Sequence, residues 1–146
     1  MTTTSPLPAL DLGEPVLPKH EEFWRHCARR ELRFQRCGQC GTWQHPPAPI
    51  CPSCSSPECD WEPAPPNGEL FSYTIVHHAP TPLLKLSVPY NIAIVSFKGL
   101  GDVRLVSQVV GVAPDALQIG MPLHLVWREQ SRGRWLPYFE PGDAHG

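Results

Sequence analysis

Two cysteine pairs constrain the fold of this 146-residue chain more than any other feature. Cys37 and Cys40 form one C-x-x-C motif, Cys51 and Cys54 form a second, and residues 41–50 lie between them. Four thiolates at this spacing can surround one metal ion, and tetrahedral Zn²⁺ is the ion that best matches four sulfur ligands. Because a closed four-sulfur site has no open position for chemistry, we expect one structural zinc per chain, with iron as the less favoured alternative.

The residues around the pairs support metal knuckles and also supply two competing ligands. Gly41 directly follows the first pair, where a glycine lets the chain turn tightly and point backbone N–H groups at the sulfurs. Ser55 takes the corresponding place after the second pair, which departs from that pattern. Cys59 and His45 are close in sequence, but the two pairs already complete the coordination, so we expect neither to bind the metal.

Composition and charge narrow the class of protein. The chain is 41% apolar and 18% charged, within the range of a soluble globular protein, and its 19 prolines argue against long helices. A net charge of −2 provides no overall attraction to nucleic acid or membrane. No apolar run approaches the ~20 residues of a membrane helix. The first residues lack a secretory pattern, so we expect a reducing cytoplasmic location, where paired cysteines bind metal.

The chain is predicted to divide into a flexible lead over residues 1–17, a helix over 18–32, a zinc ribbon over 33–63 and a β domain over 64–146. On the helix, Phe23, Trp24, Cys27 and Ala28 share one face at helical spacing. Two interpretations of this face remain open, packing on the rest of the chain or docking of a partner. Cys27 is most simply a small buried apolar residue.

The β domain shows alternating apolar patterns that predict strands over 70–77, 90–97, 103–110, 123–128 and 135–139. One short helical turn is predicted at 114–117, after the third strand. Five short strands with this insert are the number and order of a small OB-type barrel, and a five-stranded SH3-like barrel is the main alternative. The predicted fold is therefore mainly β, with an N-terminal helix, a metal ribbon and a five-stranded barrel.

Several spaced motifs resemble one known family. They are FWRHCARRELRFQRCGQCGTWQHPPAPICPSC, GELFSYTIVHH, PYNIAIVSF, IGMPLHLVW and LPYFEP. The resemblance covers about residues 20 to 141 and is to proteins with an N-terminal helix, a rubredoxin-like zinc ribbon and a C-terminal OB fold, which assemble with thiolase-superfamily enzymes. It implies a non-catalytic auxiliary subunit that docks on an acyl-CoA thiolase or a lipid-transfer-protein-like aldolase of steroid side-chain or fatty-acid degradation. It also implies a 2:2 heterotetramer with acyl-CoA at or near the interface.

Within this resemblance, the candidate contact residues follow from their chemistry. A basic side chain could meet the phosphates of CoA, and apolar side chains on the helix or on the proline-rich loop after the first barrel strand could meet a partner. The candidate docking residues are Phe23, Trp24, Leu83 and Leu84, and the candidate CoA or acyl contacts are His77, His78, Lys85 and Arg104.

Two other functions are weighed against the auxiliary subunit. Independent catalysis would use His77 and His78 as a general base, but no nucleophile stands in a recognisable motif and no carboxylate pair has catalytic spacing. Single-stranded nucleic-acid binding is the alternative function, because zinc ribbons and OB folds are common in such proteins. The local basic run that would support it consists of Arg25, Arg29, Arg30, Arg33 and Arg36. The net negative charge and the scarcity of lysine stand against it.

Overall fold

The computed structural model describes residues 18–79, 81, 82, 85 and 88–143. The predicted lead over residues 1–17, together with Leu83 and Leu84, lies outside the described residues. No helix in the described part of the chain is long and apolar enough to cross a membrane.

A single α-helix, α1 (Pro18–Ala28), opens the described chain and ends four residues before the predicted limit of 32. The helix stops because Arg30 adopts a left-handed conformation with φ of 59°, while the backbone N–H of Arg30 donates to Cys27 O at 2.8 Å and closes the last turn. Phe23 and Cys27 are buried one helical turn apart, whereas Trp24 is 39% exposed. Part of the predicted apolar face of the helix therefore lies in the core, and part lies on the surface.

The ribbon is a three-stranded antiparallel sheet in the order β2-β1-β3. Its strands are β1 (Arg33–Cys37), β2 (Trp43–Gln44) and β3 (Cys59–Pro63). Gln35 on β1 is buried, and its side-chain amide forms two hydrogen bonds with the backbone of Ala48, donating at 2.9 Å and accepting at 2.8 Å. This buried amide holds the loop between the two cysteine pairs against β1, a contact that no sequence pattern predicts.

The second sheet has five antiparallel strands in the order β6-β5-β4-β7-β8. They are β4 (Asn67–Val76), β5 (Tyr90–Ser96), β6 (Arg104–Ser107), β7 (Pro122–Ser131) and β8 (Arg134–Pro141). A 3-10 turn at Pro114–Ala116 follows β6, as the sequence predicted. The sheet curls into a half-barrel of the OB type, and the predicted fold class is confirmed.

The chain after β6 closes the half-barrel by pairing with β8. This pairing replaces the predicted continuation of β6 to residue 110. After Ser107 the chain leaves β5, and Val109 pairs with Phe139 of β8 in parallel orientation. Backbone hydrogen bonds of 2.7 Å from Val110 N to Phe139 O and of 3.1 Å from Phe139 N to Gln108 O hold this junction. The buried Asn91 amide supports it from β5 by donating to and accepting from the backbone of Val109, each at 2.8 Å.

One hydrophobic core extends through the helix, the ribbon and the half-barrel. The rings of Phe23 and Phe34 lie 6.3 Å apart, those of Phe34 and Phe97 lie 5.4 Å apart, and those of Phe97 and Phe139 lie 6.0 Å apart. Each such aromatic contact adds about 0.5–1.5 kcal/mol to the free energy of burial. The three parts share this core, so burial marks no boundary between them. The predicted domain limits therefore stay a prediction.

Candidate functional site

Four cysteine sulfurs come together at one end of the ribbon. The Sγ atoms of Cys37, Cys40, Cys51 and Cys54 lie within 4.8 Å of one another. The Cys37 and Cys54 sulfurs are 3.5 Å apart, and those of Cys40 and Cys51 are 3.6 Å apart. A tetrahedron with Zn–S bonds of about 2.3 Å has S···S edges of about 3.8 Å. The cluster therefore fits one tetrahedral metal ion.

Two similar turns present these sulfurs. In the first, Cys37 N donates to Thr42 O at 2.8 Å, and in the second, Cys51 N donates to Ser56 O at 2.8 Å. Gly41 has φ of 76° and Ser55 has φ of 65°, so both turns need a residue in the left-handed region. Ser55 thus adopts the conformation that glycine supplies in the first turn, at a cost of about 1–2 kcal/mol.

Hydrogen bonds within the first turn favour the thiolate form. The backbone N–H groups of Gln39 and Cys40 donate to the Cys37 sulfur at 3.3 and 3.4 Å. The backbone bond from Cys40 is the main cause that lowers the pKa of Cys37. The Thr42 hydroxyl lies 3.1 Å from the Cys40 sulfur and is the main cause that lowers the pKa of Cys40 to about 6. Thiolates are the form that binds a metal ion.

Hydrogen bonds among the sulfurs act on the fourth sulfur, that of Cys54, in the opposite direction. The Ser56 backbone favours the Cys54 thiolate, but the neighbouring sulfurs and burial outweigh it and raise the pKa of Cys54 to about 12. A bound dication would take the place of the Cys54 proton and neutralise the negative charge of the sulfurs. The donor set is all sulfur, which suits Zn²⁺ and also iron.

The two competing ligands lie elsewhere. Within the described residues, the metal cluster contains neither His45 nor Cys59. The His45 ring packs 5.0 Å from the rings of Phe23 and Phe34, and burial, with a smaller contribution from the charge of His20, lowers its pKa to about 4. The Cys59 sulfur accepts a hydrogen bond from Gln35 Nε2 at 3.1 Å.

Cys27 lies in the core as predicted. Its side chain is fully buried, and burial raises the pKa of its thiol to about 12. The thiol is therefore protonated and acts as an apolar packing group.

Four of the five arginines in the basic run contact other side chains of the chain. Arg25 pairs with Glu21 at 3.3 Å. Arg33 pairs with Glu31 at 3.0 Å, and Arg36 pairs with Glu62 at 3.2 Å. The Arg30 guanidinium lies 4.6 Å from the ring centre of Trp135. The three carboxylate partners offset part of the positive charge that could track a phosphate backbone, and so they weaken the nucleic-acid alternative.

The predicted CoA contacts do not form one site. His77 and His78 are exposed just after β4, and Lys85 is exposed in the connection to β5. Arg104 begins β6 and pairs with Ser96, at the end of the sheet marked by Glu69 rather than by Val76. Along β5, which has no bulge, the two ends lie six steps apart from Tyr90 to Ser96, which is about 20 Å at ~3.3 Å per residue. Arg104 therefore cannot share one phosphate with the histidines.

The docking candidates on the helix also separate. Phe23 is 4% exposed and belongs to the core, so the structure corrects its assignment as a docking residue. The physical reason is that its ring fills the space between α1 and β1, against Phe34 and His45. Trp24 stays available at 39% exposure, and its ring packs edge-on against Phe23 at 5.1 Å.

The half-barrel carries an apolar surface that is absent from the candidate sites predicted above. This outer apolar face consists of Phe71, Ile92, Ile94 and Val106, from three adjacent strands. Phe71 is 50% exposed, Ile92 is 37% exposed and Val106 is 66% exposed. The signal was in β5, where Ile92 and Ile94 alternate with the buried Ala93 and Val95, because a strand that is apolar on both sides indicates that both faces are covered.

Ile94 is the centre of the outer apolar face. It pairs with Val106 of β6 on one side and with the polar Ser72 of β4 on the other, next to the bulge that contains Phe71. At the edge of the face, the Arg104 guanidinium lies 4.2 Å from the ring centre of Phe71 and donates to the carbonyl of Val103 at 2.9 Å. The face therefore has an apolar centre and a fixed positive charge beside it.

Comparisons with known proteins agree with this architecture. A family model described as "ChsH2, rubredoxin-like zinc ribbon domain" matches residues 24–60, and one described as "ChsH2, C-terminal OB-fold domain" matches residues 61–128. A "DUF35 domain-containing scaffold protein" of Methanocaldococcus jannaschii is 35% identical over 107 residues, which are 72% of this chain and 74% of that protein. The chain belongs to the DUF35 family. The zinc-ribbon match, which includes the four-sulfur cluster, agrees with one structural zinc in this DUF35 chain.

Two further proteins resemble this DUF35 chain. A chain of the solved structure titled "Ltp2-ChsH2(DUF35) aldolase" is 37% identical with a TM-score of 0.79, and the match covers 88% of this chain and 98% of that one. A "Probable enoyl-CoA hydratase alpha subunit" of Thermomonospora curvata is 40% identical over 128 residues, which are 87% of this chain. The DUF35 chain spans only 39% of the length of that relative.

Proposed function

We propose that this DUF35 chain is a non-catalytic accessory subunit that docks on a thiolase-like enzyme, such as an acyl-CoA thiolase or an aldolase. The observation that carries the proposal is the outer apolar face. Soluble monomers rarely expose large contiguous apolar patches, and such patches mark interaction sites. The likeness to a chain titled as part of an Ltp2-ChsH2(DUF35) aldolase supports a partner of this class.

The metal centre supports a structural rather than a catalytic part for this chain. Cys37, Cys40, Cys51 and Cys54 would hold the ion, and their four sulfurs complete a tetrahedron. Bound zinc would supply a cross-link between the two turns of the ribbon. Backbone N–H groups that donate to the sulfurs of Cys37 and Cys51 hold these sulfurs in position for the metal. The reacting groups of the complex would then belong to the partner.

The chemistry of the outer apolar face defines the surface that would cover it. Ile92, Ile94 and Val106 require apolar side chains opposite them. Arg104, held over Phe71, favours a carboxylate of the partner at the edge of the contact. Burial of this face against a partner would stabilise the complex by about 25 cal/mol for each Å² of apolar area removed from water.

The acyl-CoA is proposed to lie near the interface with the partner. His77, His78 and Lys85 lie at one end of the half-barrel and could meet CoA phosphates there, while Arg104 at the other end belongs to the docking contact. A 2:2 assembly is proposed, since thiolase-like partners are commonly dimers. These assignments extend the accessory role and depend on it.

Co-expression with a thiolase-like enzyme from the same genome, followed by size-exclusion chromatography, tests the proposal. We expect the two chains to co-elute. Val106→Glu places a charge on the outer apolar face and should abolish co-elution, whereas Ile50→Glu, at a 52% exposed residue of the ribbon, should leave it unchanged. Metal content and the thermal transition of each variant show that it is folded.

The outcomes separate the role from the surface. If the wild-type chain never co-elutes and the enzyme is fully active alone, the accessory role is wrong. If Val106→Glu co-elutes while Trp24→Ala does not, the partner docks on α1 instead of on the half-barrel. A salt-sensitive shift of single-stranded nucleic acid by the wild-type chain would support the alternative function.

A further inference from the structure

A fifth thiol faces one of the metal ligands across the ribbon. Cys37 on β1 and Cys59 on β3 are direct partners in the antiparallel register. The backbone N–H of Gly38 donates to Glu58 O at 3.0 Å, so the bond lies just outside the pair and Cys37 and Cys59 are a non-hydrogen-bonded pair. The Cα atoms of such a pair are about 4.5 Å apart, which is within the range of disulfides.

Both side chains project from the same face of the sheet. Directly opposite residues of an antiparallel pair point to one side, and so does Gln35, two residues before Cys37. Gln35 Nε2 donates to the Cys59 sulfur at 3.1 Å, which confirms that Cys59 lies on this side. Because Ala48 fixes the Gln35 amide with two further hydrogen bonds, the sulfur of Cys59 is held in place.

The six cysteines of the chain fall into three groups that differ in metal binding and exposure. Four belong to the metal cluster, where bonding to a metal protects a thiolate from oxidation. Cys27 is fully buried with a raised pKa, which makes its thiol unreactive. Cys59 is outside the cluster and partly exposed, so an oxidant can reach a thiol that no metal bond protects.

We propose that Cys37 and Cys59 form a redox-sensitive pair that releases the ribbon metal. A peroxide oxidises the Cys59 thiol to a sulfenic acid, and one water leaves as the peroxide O–O bond breaks. The Cys37 thiolate then attacks the Cys59 sulfur, the S–S bond forms, and hydroxide leaves and takes a proton to become a second water. Two cysteine sulfurs are oxidised, one hydrogen peroxide is reduced, and the disulfide sulfur of Cys37 no longer serves as a thiolate ligand.

Loss of Cys37 opens the metal site. Three sulfurs remain, and the backbone donors of Gln39 and Cys40 lose the thiolate that they stabilise. Zinc with three protein ligands keeps an open position that water or a chelator can enter. Oxidation at Cys59 therefore weakens metal binding, and reduction of the disulfide restores the site. This device does not depend on the proposed accessory role.

The test uses the full zinc-loaded chain treated with hydrogen peroxide. Zinc release is followed with a colorimetric chelator, and disulfides are mapped by mass spectrometry of proteolytic peptides at early times. We expect a Cys37–Cys59 linked peptide to appear together with zinc release, and a thiol reductant with added zinc to reverse both. Cys59→Ser should release zinc several-fold more slowly, while the control Cys27→Ala should release it like the wild type.

Two results would overturn the proposal. One is equal release rates for Cys59→Ser and the wild type. The other is a first disulfide that joins Cys37 to Cys54 or Cys40 to Cys51, whose sulfurs are also close. The peptide map of the wild-type chain decides the matter even if the serine variant does not fold.

Discussion

The ring of Phe34 on β1 lies 5.4 Å from the ring of Phe97, which directly follows β5, and this contact joins the ribbon to the half-barrel. Phe34 is completely buried and also contacts Phe23 of α1, so one side chain connects all three parts of the fold. The ribbon is therefore held to the half-barrel by packing as well as by the short chain between β3 and β4.

Replacing Phe34 should destabilise the whole chain rather than the ribbon alone. We expect Phe34→Ala to lower the free energy of unfolding by about 3–5 kcal/mol, because it leaves a cavity in the shared core. Denaturant unfolding followed by tryptophan fluorescence measures this change. The control Phe71→Ala, at a 50% exposed ring, should cost less than about 1 kcal/mol. Loss of only the metal, with an unchanged half-barrel transition, would contradict the shared core.

Metal binding should depend on the four clustered cysteines and not on Cys59. We expect about one metal per chain, and Cys40→Ser should lose it and unfold the ribbon, because a three-sulfur site binds more weakly. The matched variant Cys59→Ser should keep the metal under reducing conditions. Elemental analysis counts the ion, and visible absorption distinguishes coloured iron thiolates from colourless zinc. An unchanged metal content in Cys40→Ser would refute the ligand assignment.

Substitutions at Ser55 and Gly41, in the two cysteine turns, should change stability in opposite directions. Ser55→Gly should stabilise the metal-bound chain by about 1 kcal/mol, since φ of 65° is strained for serine and free for glycine. Gly41→Ala should destabilise it by about 1–2 kcal/mol. A Cβ at Gly41 would meet Arg36 Nη2 at an ordinary 3.6 Å, so the cost would come from φ of 76° and not from a clash. Thermal unfolding and the rate of zinc loss to a chelator should move in these directions.

Acidification should destabilise the protein through His45. The pKa of His45 is about 4 in the folded chain, below its ordinary value of 6.5, because burial disfavours the charged ring. The unfolded chain therefore binds the proton first, and the stability from neutral His45 is complete above pH 6.5 and is lost as the pH falls toward 4.

The measurement is denaturant unfolding at several pH values between 6.5 and 4, with metal content assayed at each. His45→Phe should show a shallower loss of stability than the wild type, because the ring no longer titrates. Thiolate protonation acts on both proteins and does not affect the comparison. The control His78→Gln, at an exposed histidine, should follow the wild type. An equal slope for His45→Phe would show that His45 does not contribute.

Local sequence patterns predicted much of the fold. The spacing of Cys37, Cys40, Cys51 and Cys54 predicted the sulfur cluster, because ligands in two tight turns need only local geometry to face one ion. Alternation of apolar residues predicted the five strands of the half-barrel, because the side chains of a strand alternate with period two. The limits of the helix were less accurate, since its end depends on the left-handed turn at Arg30.

The tertiary structure decided which of these residues meet. It buried Phe23 and exposed Trp24, placed Arg104 far from His77, and set Cys59 opposite Cys37. It also brought Ile94 and Val106 together on the outer apolar face. These relationships join residues that are distant along the chain, and they follow from strand register and from competition for space in one core. Local spacing therefore determined the metal ligands and the strands, while long-range packing determined the surfaces that are left for function.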